Sequence, residues 1–184
     1  YSFTRTIDFG FAHKTALIYF AINSNGTAIY AYDGIYQTGM TEDDMANAIK
    51  TKDSGYVIRN AMADSAQPMS IEQLNRLGCY FEPVENGRDS VKNGIVKVAE
   101  LLKIRNDTGK PTLMFNKNLT WIADEFEKYR WVENKSMDGM IKEVPLKRDD
   151  DAMDAIRYFA MNYQKEAVET YDDINYGIKN KWKL

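Results

Sequence analysis

The sequence predicts an α/β fold: a mixed central sheet, built from an antiparallel meander plus parallel strands, flanked by helices on both faces. Three strand-like segments rich in β-branched and aromatic residues follow one another at the start, at residues 4–9, 15–23 and 27–36. The turn-forming run 23–26, with sequence Asn-Ser-Asn-Gly, separates the second from the third. Segments with helical spacing then alternate with short apolar runs, which indicates parallel strands joined by helices.

The first half of the alternating region predicts two helices and two strands. Thr41 precedes three acidic residues and begins a helix to about residue 50, because a threonine hydroxyl can cap the first turn. A strand over residues 56–64 follows. Pro68 then opens a short helix that Gly78 ends, and residues 79–84 form the next strand.

The second half predicts a long helix and then four further elements. Asp89 or Ser90 is expected to cap that helix, which runs to about residue 105. After it come a strand at 112–115, a helix at 119–129, a two-stranded hairpin at 130–144 and a last helix at 150–163. The elements imply one domain over residues 1–164, followed by a polar C-terminal tail over residues 165–184.

Length and composition indicate a single globular domain. The 184 residues are 44% hydrophobic and 28% charged, and this length suits one core rather than two. No apolar run approaches the ~20 residues of a membrane-spanning helix, and we expect no membrane association. The start lacks the apolar segment of a signal peptide and an initiator methionine, so the chain is expected to be part of a longer protein.

Charge and cysteine usage narrow the function classes. The net charge of −3 argues against a generic basic coat for nucleic acid, so any DNA contact has to be local. The single cysteine, Cys79, excludes an intramolecular disulfide and fits a reducing compartment. We expect it to pack as a small hydrophobe.

Three aspartates are the leading candidates for chemistry. Asp8 and Asp64 lie where predicted strands end, and Asp154 lies in the last helix, one turn after Asp151. If the first strand is central and the strand after the crossover lies beside it, Asp8 and Asp64 project from neighbouring strands, with Asp154 across the same edge. Carboxylates ~4 Å apart repel by about 4 kcal/mol at an effective dielectric constant of about 20. Such a cluster has to bind protons or a cation, and oxygen ligands suit Mg²⁺ or Mn²⁺.

Each of these acids also has an ordinary structural interpretation. A strand-end aspartate commonly caps or turns the chain, and this applies to Asp8 and Asp64. Asp149 and Asp150 are more simply read as charges favoured at a helix N-terminus. His13, the only histidine, is either a general base or a residue of a surface loop.

Basic residues near the predicted site are candidate DNA contacts. Two lie at the start of the long helix and three flank the predicted hairpin and the acidic cluster: Arg88, Lys92, Lys142, Lys147 and Arg148. Backbone N–H groups at a helix N-terminus can also hold a phosphate. The alternative is a solvated charged face, with a simple helix cap in the loop before the long helix.

Five sequence motifs, in order, resemble the C-terminal nuclease domain of the large terminase subunit of tailed bacteriophages, a ribonuclease H-like family. They spread over residues 7–158, most of the chain. They are Ile7-Asp8-Phe9-Gly10; Ala63-Asp64-Ser65-Ala66-Gln67-Pro68; Gly87-Arg88-Asp89-Ser90-Val91 with Gly94-Ile95; Glu125-Phe126-Glu127-Lys128-Tyr129-Arg130-Trp131; and Asp151-Ala152-Met153-Asp154-Ala155-Ile156-Arg157-Tyr158.

The resemblance implies a metal-dependent DNA endonuclease that cuts concatemeric phage DNA during genome packaging. Two Mg²⁺ or Mn²⁺ ions would promote phosphodiester hydrolysis, with Asp8 bridging both ions and Asp64 and Asp154 binding one each. Asp151 is expected as an auxiliary ligand, and it stands where many relatives carry histidine. Asn86 stands where relatives often carry lysine.

The same resemblance implies partners and a location. The substrate is double-stranded DNA, read with weak sequence preference because no base-reading element is apparent. A packaging ATPase domain would belong to the same polypeptide, although no Gly-x-x-x-x-Gly-Lys-Ser/Thr run occurs in these residues. Portal protein and the small terminase subunit are further expected partners, and the host cytoplasm is the expected location.

Two other functions stay open at this stage. One is another ribonuclease H-like nuclease of the resolvase or integrase type, and the other is a docking module that binds portal or capsid proteins without catalysis. The polar hairpin tip, residues 134–139, directly precedes the helix that carries Asp154. We therefore expect the hairpin to regulate access to the site.

Overall fold

The structure, a computed structural model, describes residues 1–84, 87, 89–135 and 141–163. Six strands form the central sheet in the spatial order β5-β4-β1-β2-β3-β6, and two further strands form a separate hairpin. The strands are β1 (Ser2–Asp8), β2 (Thr15–Ile22), β3 (Ile29–Gln37), β4 (Ile58–Asp64), β5 (Glu82–Val84), β6 (Leu113–Phe115), β7 (Trp131–Lys135) and β8 (Ile141–Pro145). The helices are α1 (Glu42–Asp53), α2 (Pro68–Arg76), α3 (Ser90–Leu102), α4 (Thr120–Lys128) and α5 (Asp151–Asn162).

The sheet has the predicted mixed topology. β1, β2 and β3 pair as an antiparallel meander, and β4 lies parallel beside β1. β5 and β6 then extend the two edges in parallel with β4 and β3. The predicted α/β class, and the position of the fourth strand beside the first, are therefore confirmed.

Helices cover both faces of the sheet and divide the core into two clusters. One cluster packs α1 and α2 against β1 and β2, with Ile7, Ile49 and Leu74 at its centre. The other packs α3, α4 and α5 on the opposite face, where Phe20 and Phe159 stack with ring centroids 3.9 Å apart. α5 runs across β1, β2 and β4, so residues of its first turn reach the edge at which β1 and β4 end.

Several element boundaries differ from the prediction by two or three residues: β4 begins at Ile58 rather than at residue 56, and α1 ends at Asp53 rather than near residue 50. β5 begins at Glu82 rather than at residue 79, because the Asn75 side chain bonds the backbone of Phe81, accepting from its N–H at 2.7 Å and donating to its carbonyl at 3.1 Å. α3 ends at Leu102, three residues early. Cys79 is buried and its thiol lies 3.6 Å from the Ala46 carbonyl, as expected of a small core residue.

The hairpin prediction is confirmed in its two strands. β7 and β8 pair antiparallel from Trp131–Pro145 to Lys135–Ile141, and the Leu146 N–H donates to the Arg130 carbonyl at 2.9 Å at the base. The predicted tip falls mostly outside the described residues, as do Asn86, Arg88 and the tail over residues 165–184. Among the helices that the structure describes, none is long and apolar enough to cross a membrane.

Candidate active site

The ends of β1 and β4 bring Asp8 and Asp64 side by side. In the parallel pairing Ile7 lies opposite Ala63, so the next residue of each strand is an aspartate at the same edge of the sheet. Asp8 is the more enclosed, at 8% exposure. The Asp64 carboxylate accepts from the Ala66 N–H at 3.0 Å. The predicted turn role of Asp64 and its place at the site are thus compatible.

α5 supplies the other acids of the cluster. Asp151 and Asp154 lie in its first turn, and both line one open cleft of about 630 Å³ together with Asp8 and Asp64. The structure thus places Asp8, Asp64 and Asp154 at one edge of the sheet, as the topology argument expected, and adds Asp151 to them.

The pKa of Asp8 is strongly affected by its place in this cluster. Burial, reinforced by the charges of Asp154, Asp151 and Asp64, raises the pKa of Asp8 to about 8. The Tyr158 hydroxyl donates a hydrogen bond to Asp8 at 3.2 Å and partly offsets the effect. The region therefore attracts protons or cations strongly.

Asp154 is held by two basic side chains. The Lys147 Nζ lies 2.7 Å from its Oδ2 and also 3.0 Å from Asp150. Arg157 donates to Oδ1 from Nη2 at 3.1 Å. Although burial opposes its charge, the nearby carboxylates raise the pKa of Lys147 to about 12.

Asp151 contacts His13 rather than a basic residue of its own helix. The two are joined by His13 Nδ1 and Asp151 Oδ1 at 2.6 Å. The Thr15 hydroxyl donates to the Gly10 carbonyl at 2.6 Å and closes the loop that carries His13. His13 is exposed on a loop, as one interpretation predicted, yet it also lines the cleft.

The acidic residues before α5 serve different purposes. Asp150 occupies the N-cap position and pairs with Lys147. Asp149 adopts a left-handed φ of 50° and lies 3.8 Å from Arg148. Both line the cleft, so the simple interpretation as helix N-terminal charges is incomplete.

The predicted DNA contacts are only partly gathered here. Lys147 and Arg148 line the cleft, and so does Lys14, which the sequence did not single out. Lys92 on α3 and Lys142 on β8 are exposed but do not line it. The positive charge around the cleft is therefore concentrated in the segment between the hairpin and α5.

The donor set fits a hard divalent cation in chemistry and in charge. The carboxylates of Asp8, Asp64, Asp151 and Asp154 line the cleft together with those of Asp149 and Asp150, and oxygen donors are what Mg²⁺ and Mn²⁺ prefer. Among the described residues, no group of three or more histidine, cysteine or acidic side chains is already arranged to hold a metal ion. The Asp154 carboxylate is instead engaged by Lys147 and Arg157.

Glu125, Arg157 and Tyr158 lie inside the sequence motifs, but the sequence alone assigned them no role at the site. Arg157 and Tyr158 contact Asp154 and Asp8. Glu125 lies on the apolar stripe of α4, with Ile122, Phe126 and Tyr129 at helical spacing. An acid on an apolar stripe needs a buried partner, and that pattern was the available signal.

Comparison with known proteins decides the family. A family profile described as "Terminase RNAseH like domain" matches residues 8–161, most of the chain. The chain belongs to the terminase RNase H-like domain family. A search of curated proteins found no match.

Solved structures share this terminase nuclease fold. The nuclease domain of the large terminase from bacteriophage SPP1, solved with bound Mn, is 21% identical with a TM-score of 0.68, and the match covers 89% of this chain and 88% of that one. The large terminase nuclease of thermophilic phage G20c, with bound cobalt, is 20% identical with a TM-score of 0.62, and the match covers 89% of this chain and 82% of that one.

A longer solved structure contains the same fold as one part of its chain. The large terminase of a thermophilic bacteriophage, solved with ADP, is 18% identical with a TM-score of 0.71. The match covers 88% of this chain but 39% of that one. The terminase RNase H-like domain thus corresponds in fold to a minor part of that terminase.

Proposed function

We propose that this terminase domain is a divalent-metal-dependent endodeoxyribonuclease that cuts concatemeric phage DNA during genome packaging. The observation that carries the proposal is the convergence of Asp8, Asp64, Asp151 and Asp154 on one cleft, with the pKa of Asp8 raised to about 8 by burial and by its acidic neighbours. Family membership supports it, and so do the relatives solved with Mn and cobalt.

Asp8, Asp64 and Asp154 would hold Mg²⁺ or Mn²⁺, two ions in all, and Asp151 would assist. Bound metal supplies a nucleophile at neutral pH and neutralises charge on the phosphodiester. The central position of Asp8 between the other acids suits it to serve both ions. Tyr158 orients Asp8 through its hydroxyl at 3.2 Å.

The remaining residues of the cleft position acids and DNA. Arg157 fixes the Asp154 carboxylate, and His13 does the same for Asp151. Lys147 and Arg148 line the cleft, and there they would meet the sugar-phosphate backbone. Backbone contacts of this kind carry no sequence information, so sequence preference is weak.

The wider setting follows from the same proposal. The packaging ATPase domain of the same polypeptide would deliver double-stranded DNA to the cleft. Portal protein and the small terminase subunit would be further partners, in the host cytoplasm. The relative of which this chain covers 39% motivates a multidomain arrangement.

Cleavage of supercoiled plasmid tests the proposal. The parent chain should cut with Mn²⁺, and with Mg²⁺ less well, because sites assembled from separate elements are seldom regular octahedra. Ca²⁺ should bind without supporting turnover, and EDTA should stop cleavage. Asp8→Ala, Asp64→Ala and Asp154→Ala should each abolish cutting, whereas Asp151→Ala should be milder.

Asp43→Asn is the matched control, because Asp43 is an exposed acid on α1 that does not line the cleft. Undiminished cutting in EDTA would refute metal dependence. Cutting within a few-fold of the parent by any of the three alanine variants would refute the site. Metal binding without cleavage of any DNA would favour the docking function.

A further inference from the structure

α5 begins without a cap from its own sequence. Asp150 stands at the N-cap position, but among the described residues its side chain makes no capping hydrogen bond. The first N–H groups of a helix need acceptors, particularly where the helix end is buried. For Ala152 and Met153, both buried, the acceptor comes from another helix.

Glu125 of α4 is that acceptor. Its Oε2 accepts from the Ala152 N–H at 2.8 Å and from the Met153 N–H at 3.1 Å. Glu125 is only 2% exposed, so the carboxylate is enclosed between the two helices. A negative group at a helix N-terminus is also favoured by the helix dipole. The contact is thus a cap supplied across the α4–α5 interface.

Burying this carboxylate is unfavourable, which makes its position informative. Burial raises the pKa of Glu125 to about 7, although a hydrogen bond with the Tyr36 side chain and the two N–H donors act in the opposite direction. A leucine would complete the apolar stripe of α4 without that cost. The residue therefore needs a reason beyond packing.

The reason lies in what the capped turn carries. Asp151 immediately precedes Ala152, and Asp154 immediately follows Met153. Successive helix residues are rotated by about 100° around the helix axis. Two neighbouring N–H groups that bond the same oxygen therefore fix both the rotation of this turn about the axis of α5 and its position along that axis. Between α4 and α5 the chain runs through the β7–β8 hairpin, and Glu125 links the two helices directly.

We propose that Glu125 is a positioning residue of the nuclease site: by capping α5 from α4 it sets where Asp151 and Asp154 meet Asp8 and Asp64. The inference rests on the proposed metal-dependent function and adds a residue that contacts neither metal nor DNA. It acts through backbone geometry, so an acceptor oxygen at the right place matters more than the charge.

The experiment compares Glu125→Gln, Glu125→Ala and Glu125→Asp in the 184-residue chain. Glutamine keeps an acceptor oxygen in place and removes the charge. Alanine removes the acceptor. Aspartate keeps a carboxylate, but its side chain is one methylene shorter, so the oxygen lies farther from the Ala152 and Met153 N–H groups. Mn²⁺ affinity is measured by calorimetry on folded protein, and exchange of the Ala152 and Met153 amides by NMR.

Two control variants separate positioning from general destabilisation. Thr41→Ala removes a comparable cap from α1, where Thr41 and Asp44 form a reciprocal capping box. Glu127→Ala removes an exposed acid from α4 itself. Both variants should bind Mn²⁺ with the affinity of the parent, and Thr41→Ala should unfold at a lower temperature than the parent.

We expect Glu125→Gln to bind Mn²⁺ within threefold of the parent, and Glu125→Ala and Glu125→Asp to bind at least tenfold more weakly with faster exchange of both amides. If Glu125→Ala does not fold, Glu125→Asp carries the comparison. Parental affinity in folded Glu125→Ala or Glu125→Asp would overturn the inference, and so would an equal loss in Glu125→Gln, which would point to charge. A parent chain that binds no Mn²⁺ would instead overturn the proposed function.

Discussion

At the scale of single residues, the cleft is a balance of like charges. Asp8 is enclosed among Asp64, Asp151 and Asp154, and its neutral form is favoured as a result. Lys147 and Arg157 neutralise part of the cluster by holding Asp154. The cluster therefore carries an electrostatic cost when protons and cations are scarce, as is common where function and stability compete.

Asp8→Asn should stabilise the metal-free domain in a pH-dependent way. Because the folded pKa of Asp8, about 8, lies above the unfolded value of 3.8, its stabilising contribution is full below pH 3.8 and is lost as pH rises to about 8. The variant should gain about 4 kcal/mol of unfolding free energy at pH 7 and lose cleavage.

Urea unfolding in EDTA from pH 4 to 9 measures this difference. It should grow with pH and level off above about pH 8, whereas Asp43→Asn should show no such trend. A pH-independent difference between Asp8→Asn and the parent would contradict the assigned environment of Asp8.

At the scale of elements, α5 organises the site. Its first two turns carry Asp151, Asp154, Arg157 and Tyr158, of which the last two contact the carboxylates of Asp154 and Asp8. The helix reaches the sheet edge because it packs across β1, β2 and β4. Anything that moves α5 along the sheet should therefore alter the site.

The α3–α5 contact provides such a test at Gly94. A Cβ built on Gly94 would lie 2.2 Å from Cγ of Arg157, too close for any real contact, so Arg157 must shift. Gly94→Ala should lower the unfolding free energy by about 1–3 kcal/mol and slow cleavage by releasing Asp154. Chemical unfolding and plasmid cleavage measure the two effects.

Asn93→Ala is the matched control, because Asn93 is the exposed neighbour of Gly94 on α3. It should leave both quantities close to those of the parent. An unfolding free energy of Gly94→Ala equal to that of Asn93→Ala would show that Arg157 adapts without consequence.

The β7–β8 hairpin is the element predicted to regulate access. β8 ends at Pro145, and the chain then passes Lys147 into α5, so hairpin and site are linked through a short segment. Replacing residues 134–139 by a tight turn should change the single-turnover cleavage rate while Mn²⁺ affinity stays the same. If both stay parental, the hairpin has no part in access.

At the scale of the whole molecule, the charge distribution governs DNA binding. The chain carries a net charge of −3, yet Lys14, Lys147 and Arg148 gather around the cleft. Under the proposed function, association with DNA would therefore depend on a small number of phosphate contacts, each of which releases counterions.

DNA affinity should accordingly be weak and steeply salt-dependent. Each phosphate contact contributes roughly 0.9 to the slope of log affinity against log salt, so Arg148→Ala should lower that slope by about one contact. Lys92→Ala and Lys142→Ala, away from the cleft, should lower it less. Fluorescence anisotropy over a salt series measures it, and a tight complex insensitive to salt would contradict the proposal.

The sequence by itself determined the order and type of the elements and the candidate acids. Alternating and helical spacings are local properties, so the meander, the Thr41 cap and the acid-rich start of α5 could be read directly. Adjacency of Asp8 and Asp64 also followed, because topology rules place a strand that follows a crossover beside the first.

Only the tertiary structure decided how the acids are held. Charge pairing depends on distances between side chains from separate elements, and sequence spacing does not encode them. Thus Lys147, predicted as a DNA contact, forms an ion pair with Asp154, and His13 forms a hydrogen bond with Asp151. Glu125 lies in one of the sequence motifs, but its contact depends on the packing of α4 against α5. Its partners are backbone N–H groups, which almost every residue possesses, so the sequence does not mark them.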